Sequence, residues 1–123
     1  MNEMNEMTAV VLPSLENADA KELAEAIAEV LDAKKGFDVE VIYVADKTVV
    51  AEYFVVCSGN TSTHIKALVG ETEFKIGERG LMPYNVEGKD NNAWIVMDYS
   101  HVIVHVFTKE AREFYNIEKL YKN

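Results

Sequence analysis

The chain has 123 residues, of which 49% are hydrophobic and 27% charged, a size and composition that suit one domain with a sizeable core and exclude wholesale disorder. Its 12 basic and 21 acidic residues leave a formal net charge of -9, so its field repels a phosphate backbone and favours basic partners; little direct nucleic-acid binding is expected. No apolar run approaches the roughly 20 residues of a membrane-spanning helix. The single Cys57 cannot close an internal disulfide, and Glu3 and Glu6 stand where a secretory signal carries Lys or Arg; a reducing cytoplasm is the expected setting.

Residues 1–18 open with Met-Asn-Glu written twice and hold no sustained period, so a mobile or loosely docked arm is expected ahead of a domain over 19–123. Asp19 and Glu22 have the spacing of a capping box, and Leu23, Ile27, Val30 and Leu31 recur on one face of the helix it would start, which closes at Lys34-Lys35-Gly36. The acidic residues of that stretch fall mainly outside the apolar face, as on a solvated helix. Residues 1–36 hold eight carboxylates against three lysines.

Two β-branched and aromatic runs, Val39 to Val44 and Tyr53 to Cys57, read as strands. Asn60 or Thr61 then caps a second helix through Ile65, Leu68, Val69 and Ile76, with Gly80 as its stop. A third strand is expected from Tyr84 to Glu87. The cluster Gly88-Lys89-Asp90-Asn91-Asn92 turns the chain into two further strands, Trp94 to Asp98 and His101 to Phe107. Thr108 caps a last helix from Lys109 to about Tyr115, and Asn116 a final turn through Leu120. This order predicts a single α/β domain with a mixed five-stranded sheet flanked by helices.

If Tyr99 and Ser100 form a two-residue turn, Asp98 faces His101, Val96 faces Ile103 and Trp94 faces His105. One face of that hairpin is then wholly aliphatic, carrying Ile95, Met97, Val102, Val104 and Val106, and belongs under a helix. The other carries Trp94, Asp98, His101 and His105. An aromatic beside ionisable groups suits an interface centre, and a tryptophan covered by a helix is equally ordinary; the spacing leaves both open.

Enzymatic readings find little support in the residues. His101 and His105 sit four apart on a strand, roughly 13 Å along the chain, too far for two ligands on one metal ion. The Ser58-to-Thr63 turn lacks the lysine of a phosphate loop. A nucleotidyl transferase needs two neighbouring carboxylates for magnesium, whereas no Asp-x-Asp pair occurs, and Glu87 and Asp98 lie on different strands. No metal, cofactor or catalytic residue is expected. The alternative, a nucleotide-binding or nucleotidyl-transfer enzyme, rests on fold analogy.

The blocks Tyr53-Phe54-Val55-Val56-Cys57-Ser58-Gly59, Ser62-Thr63-His64-Ile65-Lys66-Ala67-Leu68, Val86-Glu87-Gly88, Trp94-Ile95-Val96-Met97-Asp98-Tyr99 and Val102-Ile103-Val104-His105-Val106-Phe107 resemble, in order and spacing, the ribosomal silencing factor family, also called Iojap-like. The resemblance continues through Arg112-Glu113-Phe114-Tyr115 to Leu120. It implies a nucleotidyltransferase-like fold without the catalytic carboxylates, and a non-enzymatic translational repressor. The implied partner is the fourteenth ribosomal protein of the large subunit, bound so that the small subunit is blocked sterically when nutrients are short. It places Trp94, Asp98 and Tyr99 at the centre of the contact surface, with Glu87, Gly88 and His105 nearby. A homodimer formed through the Trp94 face in the absence of ribosomes stays open. Ser100-His101 departs from the Gly-Asp often found after the Asp-Tyr pair, and Tyr121 stands where Trp is usual.

Overall fold

The computed structural model describes residues 11–122. Helix α1 spans Ala20–Ala33, and its start is fixed by Asp19, whose Oδ1 accepts from the Glu22 amide at 2.8 Å. Leu23, Ile27 and Leu31 recur at helical spacing on its buried face. Strand β1, Phe37–Tyr43, begins close to where the β-branched pattern placed it. Strand β2, Tyr53–Gly59, runs two residues further than that pattern. Thr61, not Asn60, caps α2 (Ser62–Glu78) by accepting from the His64 amide, and Gly80 follows in the left-handed conformation at φ +100. After β3 (Asn85–Glu87), β4 (Trp94–Asp98) and β5 (Val102–Thr108) form the hairpin, and α3 (Lys109–Tyr115) and the single turn α4 (Glu118–Tyr121) close the chain.

The strands make one mixed sheet in the order β1-β2-β5-β4-β3, with β2 and β5 parallel and every other pair antiparallel. Parallel pairing demands a long crossover, and α2 with the β3–β4 excursion supplies it. One face of the sheet carries Val55, Cys57, Ile95, Met97, Val102, Val104 and Val106, and is covered by α1 and α2. This is the aliphatic face expected from the hairpin pattern. The opposite face carries Ile42, Phe54, Val56 and Phe107, covered by α3 and α4 through Ala111, Ile117 and Tyr121.

The expected arm divides. Residues 1–10 lie outside the described residues. Within 11–18, Leu15 is wholly buried in the first core, its amide donates to the Arg79 carbonyl at 2.7 Å, and the Arg79 side chain donates to the Pro13 carbonyl at 2.9 Å. That stretch is therefore docked against the end of α2. One apolar residue without a periodic neighbour gives no pattern to read, which is why the sequence left it loose.

Candidate functional site

The β4–β5 hairpin determines which side chains share a surface. Its turn is centred on Ser100 and His101: the Tyr99 amide donates to the Val102 carbonyl at 2.9 Å, Ser100 has φ +77, and Asp98 Oδ1 accepts from the Ser100 amide at 2.7 Å. The ladder consequently pairs Trp94 with Phe107, Val96 with His105 and Asp98 with Ile103. This corrects the expected pairing of Trp94 with His105 and Asp98 with His101 by two residues. The cause is the carboxylate of Asp98, which holds the serine amide and stabilises the turn one residue later than assumed. A shift of two preserves the faces, since side chains alternate with period two.

The face that carries Trp94 is only partly covered. Helices α3 and α4 lie over β5 and β2, and Tyr115 at the end of α3 meets the indole at 4.7 Å. Beyond that, β4 and β3 present half-buried Trp94, Val96 and Asp98 and exposed Glu87 and Asn85, all on one side because Glu87 pairs with Val96 and Asn85 with Asp98. Half-buried Ile103 joins them from β5. Exposed Phe114, Tyr115 and Leu120 extend apolar surface along α3 and α4.

Trp94 is half-buried and structural. Its ring stacks on Phe107 with centroids 4.8 Å apart, and its Nε1 donates to His105 Nδ1 at 3.2 Å. Of the two readings left open by the spacing, the helix-covered one is seen in part: Tyr115 of α3 lies against a ring that stays half-buried. Gly88 is needed beside it: at φ +92, any side chain there would be strained, and its Cβ would collide with the Trp94 carbonyl oxygen. Glu87 accepts from Asn85 Nδ2 at 2.8 Å, which leaves its carboxylate outward on the edge strand.

Two residues expected on this surface lie below it. Tyr99 is 5% exposed, belongs to the first core on the other side of the sheet, and its hydroxyl has no hydrogen-bond partner among the described residues. Burial, with a smaller contribution from Glu73, holds its phenol well above the usual range. Alternation puts it there, one position after Asp98. His105 is 8% exposed, and burial alone lowers its pKa to about 4, so the ring is neutral. It sits edge-on to Phe54 at 4.7 Å, behind the surface and not on it.

The histidines do not converge. His101 lies at the turn, 4.0 Å from Glu52, and His64 accepts from the Asn60 amide beside α2. Among the described residues no group of three or more His, Cys, Asp or Glu side chains could hold a metal ion. Cys57 is buried, and desolvation pushes its thiol up to about 12, which makes it a poor nucleophile.

Sequence reasoning gave no role to Arg112. Its buried guanidinium donates to both Glu118 oxygens at 3.1 and 2.8 Å, to the Asp38 carbonyl at 2.6 Å and to Ser58 Oγ at 2.9 Å. Glu40 completes the group and also accepts from Lys122. This network ties α3 and α4 to β1 and β2. Its members come from four separate elements, β1, β2, α3 and α4, so no spacing could have announced it.

Comparison with known proteins agrees with this architecture. The family model described as ribosomal silencing factor during starvation matches residues 17–123. The chain is 33% identical over 101 residues to the ribosomal silencing factor of Bacillus subtilis (strain 168), covering 82% of this chain and 86% of that one. A Chromobacterium violaceum protein of known crystal structure superimposes with a TM-score of 0.80 at 27% identity, covering 84% of this chain and 86% of that one. A mouse protein named for mitochondrial assembly of the ribosomal large subunit is 30% identical over 100 residues, 79% of this chain and 44% of its own length.

Proposed function

The chain belongs to the ribosomal silencing factor family, a regulatory and non-enzymatic family associated with the ribosome, and from that premise we propose that it docks on the large ribosomal subunit and prevents the small subunit from joining. The proposed contact is the fourteenth ribosomal protein of the large subunit, met through the open part of the sheet around Trp94. One observation carries this reading above the others. The β3–β4 end of the sheet, with Ile103 beside it on β5, presents an aromatic, two aliphatic side chains and two carboxylates on one side, half-buried or exposed beyond the edge that Tyr115 of α3 covers.

The chemistry of that surface favours a basic protein partner. A half-buried indole, with Val96 and Ile103 beside it, has the composition of an interface centre. Asp98 and Glu87 border it as acceptors for Arg or Lys. A net charge of -9 over the whole chain steers it towards basic protein and away from bare ribosomal RNA. Tyr99 and His105 support the surface from beneath, and the side chains offered to the partner are Trp94, Val96, Asp98 and Glu87.

Co-sedimentation with isolated subunits in moderate salt tests the proposal. The protein is expected to pellet with large subunits and to stay in solution with small ones. Equal pelleting with both would overturn it.

A further inference from the structure

Trp94 and His105 form a donor–acceptor pair with only one workable protonation state. An indole N–H is a donor and nothing else, so His105 Nδ1, 3.2 Å away, must be an acceptor and the ring proton must sit on Nε2. That Nε2 is buried and has no partner among the described residues. A leucine would fill similar space without burying an unpaired donor, which ordinarily costs stability. Packing therefore gives no reason for an imidazole here, whereas an acceptor for the indole does.

The surroundings keep the imidazole fixed. His105 stands on β5, between Val56 of β2 and Val96 of β4 in the ladders. Phe54 lies edge-on to it, with Tyr121 of α4 behind Phe54 at 4.8 Å, and Tyr115 of α3 lies behind Trp94. These neighbours carry no carboxylate or ammonium group, and the two tyrosines are the titratable groups among them. We propose that His105 is a positioning residue for recognition: its neutral ring does not touch the partner but fixes the orientation in which the Trp94 indole is presented. This rests on the reading of Trp94 as the docking anchor. A proton on Nδ1 would turn the acceptor into a donor facing a donor and release the indole.

The chain has one tryptophan, so tryptophan emission, excited selectively over tyrosine, reports on Trp94 alone in the free protein. The test combines that emission with pelleting on isolated large subunits, for the wild type, His105→Leu, His105→Asn and Trp94→Phe. Asparagine places an amide oxygen near the position of Nδ1, and leucine offers no acceptor. Loss of one net hydrogen bond of orientation should weaken binding about 5- to 10-fold in His105→Leu. His105→Asn should stay within about threefold of the wild type, and the leucine effect should vanish when Trp94→Phe has already removed the donor. Wild-type emission should change on acidification towards the His105 pKa of about 4 while far-ultraviolet circular dichroism is unchanged, and His105→Leu should lack that change.

Equal losses in the asparagine and leucine variants, or a leucine effect that persists with Trp94→Phe, would overturn the proposal in favour of a packing role. If His105→Leu does not fold, the wild-type titration decides: emission that changes only together with loss of helical signal overturns it. Should Trp94→Ala bind like the wild type, the docking reading fails, and the titration still shows whether His105 fixes the indole.

Discussion

Trp94 stands directly opposite Phe107 in the β4–β5 ladder, their rings stacked 4.8 Å apart, and Tyr115 of α3 lies against the indole at 4.7 Å, so the aromatic on the open side of the sheet also holds the sheet to α3. Trp94→Ala is therefore expected to act twice. It should weaken binding to the large subunit by more than about 2 kcal/mol, as loss of an interface anchor does. It should also lower stability by about 2 kcal/mol through lost packing. Chemical denaturation beside binding to the folded fraction separates the two, and Trp94→Phe should recover most of the stability.

Asp98 serves the turn with one oxygen, which accepts from the Ser100 amide. Asp98→Asn keeps an oxygen for that amide and removes only the charge, so its stability should stay within about 0.5 kcal/mol of the wild type, and Asp98→Ala should lose about 1 kcal/mol. If the carboxylate meets a Lys or Arg, Asp98→Asn should bind more weakly than the exposed control Glu25→Gln. Association kinetics across a salt series measure both. Equal, small effects would confine Asp98 to the turn.

Gly88 has a left-handed backbone and no room for a side chain against the Trp94 carbonyl. Gly88→Ala should therefore cost more than about 1 kcal/mol. Because the displaced strand carries Trp94, its emission spectrum should shift in the folded variant. An unshifted spectrum with unchanged stability would contradict the geometry.

Acid should weaken the fold through two groups. His105 is held by burial at a pKa of about 4, below its ordinary value of 6.5. Between those values the unfolded chain binds the proton and the folded chain does not, so stability drops as the pH is lowered, by up to about 1.4 kcal/mol per unit. Arg112 holds the Glu118 carboxylate below its ordinary range; that contribution is complete above the unfolded carboxylate pKa and is lost as pH falls through the folded one. Denaturation midpoints measured from neutral pH downwards should fall less steeply for His105→Leu before the carboxylates titrate.

The elements that were legible were those with local causes. Asp19 and Thr61 cap their helices as their side chains dictate, and alternation sorted Ile95, Met97, Val102, Val104 and Val106 onto one buried face. The family pattern brought Trp94, Asp98 and Glu87 to attention, and the ladder puts all three on one side. Tyr99 was misplaced because its sequence neighbour Asp98 lies on the opposite face. The hairpin register depended on a single side-chain hydrogen bond, which alternation cannot express. Leu15 and Arg112 escaped notice because their partners are distant in sequence, Leu15 with Arg79 and Arg112 with Asp38, Glu40 and Ser58.

The central claim is that the open Trp94 face, docked on the large subunit, keeps the small subunit away. Light scattering from purified subunits mixed under joining conditions, with saturating wild-type protein or folded Trp94→Ala, tests it most directly. The expected result is suppressed joining with the wild type and joining restored towards the protein-free level with the variant. Unchanged joining with the wild type, or equal suppression by both proteins, would contradict it.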